Sequence, residues 1–134
     1  MNRIKILLEL AREELQVAEL VLNNHYYRAC ISRIYYGLYH ATQAVLESKQ
    51  INPLTHRGLI QQFGQNFIKT GELSKESSII LKSAYDLRQL SDYDETVDFD
   101  LEQAQKLLTS AQYFIEQIEA YLSEVAFQNT DESN

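Results

Sequence analysis

Apolar residues recur along this chain with the period of an α-helix. Between Arg3 and Leu22 they occupy every third or fourth position, a spacing that predicts an amphipathic first helix. The same spacing returns from Leu101 to Leu122 and predicts a last helix that packs along the seam of a bundle. Both stripes favour a helical protein.

The second predicted helix, from about His25 to Ser48, has a different pattern. Apolar or aromatic residues occupy almost all of its sides. A helix of this kind lies at the centre of a bundle or in a contact between subunits. Because one small bundle would leave part of this surface uncovered, we expect a homodimer whose interface includes parts of the second and fourth helices.

Two further helices are predicted in the middle of the chain. Thr55 has the side chain of an N-cap and begins a third helix that runs to Lys69 and is ended by Gly71. Ser74 caps a fourth helix that runs to about Leu90. The expected fold is therefore all-α, an up-and-down bundle of four to five helices.

Composition agrees with one helical domain. With 134 residues, we expect a single bundle over residues 1–127 and a polar, frayed tail over 128–134. Four Gly and one Pro are too few for the turns of an all-β fold, and they also disfavour collagen-like and disordered classes. The single Cys30 cannot form an internal disulfide. No signal segment or membrane-length apolar run is apparent, so we expect a cytoplasmic protein without a membrane partner.

The formal charge of −7 is unevenly distributed along the chain. Residues 1–88 carry 11 Lys and Arg against 8 Asp and Glu, whereas residues 89–134 carry Lys106 alone against 11 acids. Much of this excess lies in a predicted acidic turn, Ser91–Asp100. The first two thirds of the chain could therefore still attract the phosphates of a nucleic acid.

Metal and cofactor sites are not predicted. The sequence contains no Gly-rich phosphate loop, no Cys pair and no His-x-x-x-His or Glu-x-x-His pattern. The three histidines, His25, His40 and His56, lie on or beside different predicted helices. We therefore expect neither a bound metal nor a cofactor.

The second helix holds one candidate for phosphodiester chemistry. Arg33 and His40 are seven residues apart, close to two helical turns, with Tyr36 between them. Arginine can neutralise the charge of a phosphorane, and histidine can move protons at neutral pH. The same residues could instead form a packing or interface stripe, as could most of the nine tyrosines.

Two other candidates lie at helix ends. Arg88, followed by Asp92 and Tyr93, could bind a phosphate, with the Tyr93 hydroxyl nearby; a C-terminal cap with a local ion pair would look the same. His56 and Arg57 begin the third helix, where free N–H groups and a cation can bind an anion. They are equally compatible with an ordinary helix start.

Four blocks of sequence, in the same order, resemble the HEPN domain family, and within it the small stand-alone branch called UPF0332. The blocks are Arg28–Ala41, Thr55–Gly58, Phe63 with Phe67, and the run Asp86–Asp94. The last block is the most specific, because it contains the pattern Leu-Arg-x-x-x-Asp-Tyr. The resemblance covers roughly residues 7–122.

The resemblance implies a helical bundle that forms a homodimer and is encoded beside a minimal nucleotidyltransferase. It also implies a toxin–antitoxin pair in which the HEPN protein is a metal-independent ribonuclease. Active members carry a histidine four to six residues after an arginine. The arginine role carries over to Arg88, but the fifth position after it is Tyr93. Proton transfer would then fall to Tyr93 or His40.

Two functions are therefore predicted. In the first, the protein is a ribonuclease toxin or a degenerate relative of one, with Arg88 on the phosphate. Further contacts to RNA or a nucleotide would come from Arg33, Tyr36, His56, Arg57 and Asp92. In the second, it is a non-catalytic homodimer that binds a nucleotide, RNA or its nucleotidyltransferase antitoxin. A purely structural helical adaptor is a third possibility.

Overall fold

The computed structural model describes the backbone of residues 2–133 and the side chains of residues 3–126. The α-helices are α1 (Asn2–Asn23), α2 (Tyr27–Glu47), α3 (His56–Phe63), α4 (Lys75–Tyr93) and α5 (Leu101–Ser133), and a π-helical segment, Gly64–Ile68, continues α3. Residues 2–133 contain no β-strand. The predicted all-α bundle is confirmed.

The helix α2 forms the centre of the bundle and contacts α1, α3, α4 and α5. Its fully buried side chains include Cys30, Ile31, Ile34, Leu38 and Ala41. Neighbouring helices of the same chain already cover the buried side chains of α2. The expectation that a second copy is needed to cover this helix is therefore wrong. The homodimer itself stays a prediction that rests on the family resemblance.

The helices α1 and α2 approach each other closely at Gly37. A Cβ atom at this position would lie 2.9 Å from Leu15 Cδ2 and 3.3 Å from the carbonyl oxygen of Ala11. The missing side chain lets α1 sit directly against the backbone of α2. This contact fixes the position of the helix that carries most of the candidate site.

The chain turns between α1 and α2 through a left-handed residue. His25 has φ 67°, and its N–H donates to the carbonyl oxygen of Leu22 at 3.0 Å. The N–H of Tyr26 donates to the carbonyl oxygen of Val21 at 2.9 Å. These bonds form a Schellman-type ending, so α2 begins at Tyr27 and not at the predicted His25.

The predicted start of α3 is confirmed, since the hydroxyl of Thr55 accepts a hydrogen bond from the N–H of Gly58 at 2.9 Å. The helical backbone continues through Ile68 as a π-helix, and Gly71, with φ 80°, ends it as expected. Ser74 is the N-cap residue of α4, but its hydroxyl makes no capping bond to the helix backbone.

The helix α4 is three residues longer than the pattern predicts. The N–H of Asp94 still donates to the carbonyl oxygen of Leu90 at 2.9 Å. An ion pair between Arg88 and Asp92, one turn apart, also supports the extension. The predicted acidic turn is shortened accordingly, and Asp92 and Tyr93 belong to the helix.

No helix in the described part of the chain is both long enough and apolar enough to cross a membrane. The helix α5 is continuous through Ser133. We predicted a frayed tail over residues 128–134. The side chains of these residues lie outside the described part of the chain, and Asn134 is not described at all. The tail stays a prediction.

A polar cluster ties the segment after the π-helix to α2 and α5. Lys49 Nζ donates to Glu72 Oε1 at 2.6 Å and to the carbonyl oxygen of Asn66 at 2.6 Å, and it lies 4.3 Å from the ring centroid of Phe67. The hydroxyl of Tyr121 donates to Glu72 Oε2 at 2.6 Å. The hydrogen bonds from Lys49 and Tyr121 lower the pKa of Glu72 to about 2.

This cluster predicts acid-sensitive stability. Because the pKa of Glu72 is lower in the folded protein than in an unfolded chain, its contribution is complete above about pH 4.5 and is lost as the pH falls toward 2. Glu72→Gln should cost about 0.5–1 kcal/mol at pH 7, since the pair is partly exposed. In urea unfolding the cost should shrink as the pH falls below about 4.5 and vanish only below about pH 2, where the wild-type carboxyl is protonated in the folded protein as well. Glu9→Gln, an exposed change on α1, is the control; parallel pH curves for wild type and Glu72→Gln would contradict the expectation.

Candidate functional site

The guanidinium of Arg88 lies on two tyrosine rings of α2. Its Cζ atom is 5.4 Å from the ring centroid of Tyr35 and 4.7 Å from that of Tyr36. These are cation–π distances, and 21% of the Arg88 side chain remains exposed. His56 also lies against Tyr35. Three parts of the sequence therefore meet where α2, α3 and α4 pack together.

The charge of Arg88 is only partly compensated. Its Nη2 atom lies 3.3 Å from Oδ2 of Asp92, whose side chain is about half exposed, at 49%. Its buried Nε atom has no hydrogen-bond partner. One exposed carboxylate contributes little binding energy, so the guanidinium can exchange this partner for an anion such as a phosphate.

His56, the first residue of α3, is fixed by two tyrosines of α2. Its Nδ1 atom lies 2.6 Å from the hydroxyl oxygen of Tyr35, and its ring stacks on that of Tyr39 with centroids 4.7 Å apart. Burial lowers the pKa of His56, and the positive charge of Arg88 lowers it further. Burial also raises the pKa of the Tyr35 hydroxyl. Both side chains therefore favour their neutral forms.

Arg33 joins the site from the other side of Tyr36. Its Cζ atom lies 5.6 Å from the Tyr36 ring centroid, and its Nη1 atom lies 3.1 Å from a carboxylate oxygen of Glu14. Tyr36 is therefore in contact with two guanidinium groups, those of Arg33 and Arg88. The sequence predicted Arg33 and Tyr36 together on the second helix and Arg88 separately on the fourth, and the structure brings all three into contact.

His40 is not part of this cluster. Its Nδ1 atom lies 3.1 Å from Oε1 of Gln43, and its ring packs edge-on against Tyr39. Among the described residues, no hydrogen bond or ring contact joins His40 to Arg33 or Arg88. The predicted Arg33–His40 pair is therefore not assembled in the single chain, and the proton-transfer role of His40 stays a prediction.

Tyr93 and Arg57 are both exposed. Tyr93, the last residue of α4, is 83% exposed. Arg57 is exposed and lines a groove with residues of α4 that include Lys82 and Gln89. The N–H of Gly58 is already bound by the Thr55 hydroxyl, so this N–H is not available to an anion at the start of α3.

Two tyrosines of the site were not predicted. Tyr35 occupies an apolar position in the pattern of α2, and this pattern does not indicate that its hydroxyl contacts His56. In the structure the Tyr35 side chain is fully buried. Tyr85 on α4 lies with its ring centroid 5.9 Å from that of Tyr35, and its hydroxyl accepts a hydrogen bond from Gln89 at 2.9 Å. The only sign of their role in the sequence is that tyrosine, with its hydroxyl, stands at two positions where phenylalanine would pack equally well.

Arg28 was also missed, and it anchors the segment next to the site. Its Nη1 atom donates to Oγ of Ser91 at 2.9 Å, and its Nη2 atom donates to the carbonyl oxygen of Val97. These bonds tie the start of α2 to the end of α4 and the loop that follows. The partners are more than 60 positions apart, so no local pattern could reveal them.

The arrangement is suited to an anion. The groups that meet here are guanidinium, imidazole and phenol side chains, which donate hydrogen bonds to phosphate oxygens. Among residues 3–126, no group of three or more His, Cys, Asp and Glu side chains is placed to bind a metal ion. The cluster of Arg88, Arg33 and His56 on the tyrosines of α2 is therefore the candidate functional site.

The sequence matches the HEPN domain family over residues 4–121, and the chain belongs to this family. It is 37% identical over 121 residues to "Putative toxin MJ0142" of Methanocaldococcus jannaschii, which covers 90% of this chain and 82% of that protein. It is 33% identical over 125 residues to "Putative toxin MJ0605" of the same organism, covering 92% of each.

A third relative carries the name of the predicted branch. A "UPF0332 protein" of Thermotoga maritima is 31% identical over 115 residues, which cover 86% of this chain and 87% of that protein. The resemblance to HEPN and UPF0332 proteins that the four sequence blocks indicated is confirmed.

Proposed function

We propose that the protein is a toxin that cuts RNA without a metal ion and that a minimal nucleotidyltransferase is its antitoxin. The observation that carries the proposal is the position of Arg88 on Tyr35 and Tyr36, with uncommitted hydrogen-bond capacity. A guanidinium can bind two phosphodiester oxygens and stabilise the charge that they gain in the transition state. The toxin names of two relatives support this role.

We further propose that the protein acts in the cytoplasm as a homodimer. The HEPN resemblance implies that two copies of the arginine site face one cleft, which would place two Arg88 side chains near one RNA strand. The acidic segment 92–102 follows directly and would then border the cleft. The dimer contact would include exposed parts of α2 and α4, since the inner faces of both helices are buried within the chain.

A second function is favoured by one observation. Tyr93 follows Arg88 by five residues on α4, roughly 7.5 Å along the helix axis, in the place where active relatives carry histidine. Tyrosine is a poor proton shuttle at neutral pH, and His40 does not contact Arg88 within the described residues. The same site could therefore bind RNA, a nucleotide or the nucleotidyltransferase without cleaving anything.

Cleavage of labelled RNA by the purified protein in excess EDTA separates the two functions. We expect fragments that end in a 2′,3′-cyclic phosphate, because the neighbouring 2′-hydroxyl is the available nucleophile when no metal activates water. The 2′-deoxy oligonucleotide of the same sequence should remain intact. Binding of RNA without cleavage would favour the second function, and absence of both would contradict the RNA assignment.

A further inference from the structure

The hydrogen bond between Tyr35 and His56 fixes which imidazole nitrogen carries the proton. The Tyr35 side chain is fully buried, and its hydroxyl has one hydrogen-bond partner among the described residues, Nδ1 of His56 at 2.6 Å. A buried hydroxyl whose hydrogen has no acceptor is costly. The hydroxyl therefore donates to Nδ1, and in the neutral ring the proton resides on Nε2.

The surroundings of His56 keep this ring neutral and oriented. Tyr35 and Tyr39 face it from α2, and Arg88 acts on it from α4, while Arg57 follows it on α3. Burial and the charge of Arg88 both lower the pKa of His56. No described carboxylate forms a hydrogen bond or ion pair with it. Nothing near the ring thus favours the imidazolium form at neutral pH.

The two nitrogens of an imidazole point in divergent directions. With Nδ1 directed at the buried hydroxyl of Tyr35, the Nε2–H group points away from it. His56 is only half-buried, and stacking on Tyr39 restricts rotation of its ring. The ring therefore presents a fixed, neutral N–H donor beside Arg88.

We propose that His56 is a hydrogen-bond donor to phosphate and not a proton shuttle: its Nε2–H binds a non-bridging oxygen of the phosphodiester that Arg88 engages, and Tyr35 sets its tautomer. The inference rests on the proposed function, because the phosphodiester is that of RNA. It differs from the ordinary role of histidine in ribonucleases, since a general base must present an unprotonated nitrogen to the substrate. Here that nitrogen is occupied by Tyr35.

Three substitutions at His56 test the donor role in a binding assay with an uncleavable 2′-O-methyl RNA, measured by fluorescence anisotropy. In His56→Gln the side-chain amide can replace Nε2–H, so affinity should stay within about threefold of wild type. His56→Asn reaches only the position of Nδ1, and His56→Ala has no donor; both should weaken binding about tenfold. Thermal unfolding of each variant separates lost contacts from lost structure.

Nitrogen chemical shifts of the His56 ring, measured by NMR on the wild-type protein without RNA, test the tautomer independently. We expect the neutral Nε2–H form to predominate at pH 7 to 8, and a mixture of tautomers in Tyr35→Phe, which keeps the ring under Arg88. An Nδ1–H tautomer or an imidazolium ion at pH 7 would overturn the inference, as would a folded His56→Gln variant that binds as poorly as His56→Ala.

Wild-type protein that binds no RNA would overturn the proposed function and the phosphate contact with it. Equal binding by wild type and all three variants would overturn the inference alone.

Discussion

Replacing Arg88 with alanine should lower the rate of RNA cleavage by about 10²–10³-fold, the loss typical of removing one preorganised donor from a transition state. The guanidinium is preorganised because it lies on the rings of Tyr35 and Tyr36, so it loses little freedom when it binds phosphate. The same substitution should relieve growth arrest when the protein is expressed. Single-turnover cleavage of a labelled RNA and growth curves are the two measurements.

Arg88→Lys separates the charge of this residue from its shape. Lysine keeps the positive charge but loses the planar fork and the stacking surface, so we expect an intermediate loss of about 10–100-fold in the same cleavage assay. Arg12→Ala is the matched control, since Arg12 pairs with Glu119 between α1 and α5, away from the tyrosines of α2. Cleavage by folded Arg88→Ala at the wild-type rate would contradict the assignment.

The fold was accessible to prediction wherever one local pattern determined it. In the stripe of α1, Leu7, Ala11, Leu15, Ala18 and Leu22 are buried core residues as predicted, whereas Ile4 and Leu8 are only partly buried. Such a stripe depends only on which side chains share a face of a helix, and this follows from the 3.6-residue period. The stripe of α5 holds less well at its two ends, because Leu101, the first residue of the helix, is 52% exposed and Leu122 is only partly buried.

Interpretation of α2 required more than its pattern. Apolar residues on nearly all sides are equally compatible with the centre of one bundle and with a subunit interface. The packing of α1, α3, α4 and α5 around this helix shows that its residues are buried because it lies at the centre of one bundle. How many helices surround a segment depends on the whole topology, which no local window contains.

In the candidate site too, single residues could be predicted from the sequence, but the contacts between them could not. The sequence identified Arg88, His56 and Tyr36 one at a time, because arginine, histidine and clustered tyrosines are recognisable by type. It could not bring them together, since they lie on three helices and are joined by Tyr35, a residue that counted as apolar. The hydroxyl of Tyr35 became informative only through its 2.6 Å contact with His56. Local chemistry was predictable, whereas its assembly required the tertiary structure.

Phe114→Ala should reduce the free energy of unfolding by about 3–5 kcal/mol, the largest stability effect that we expect from a single substitution. Phe114 is fully buried on α5, and its ring centroid lies 5.7 Å from that of Phe63 on α3. Removing the ring leaves a cavity between these helices that a tightly packed core cannot close. Because α3 also carries His56, loosening this contact should weaken RNA binding as well.

Tyr113→Ala is the matched control for this substitution. Tyr113 is the neighbouring aromatic residue on the same helix, but 39% of it is exposed, so its loss should cost less than about 1 kcal/mol. Urea unfolding measures both changes, and thermal unfolding should show a melting temperature about 10–20 °C lower for Phe114→Ala alone. Equal destabilisation by the two variants would mean that the two faces of α5 are not divided between core and solvent in solution, and the position of α3 against α5 would then be wrong.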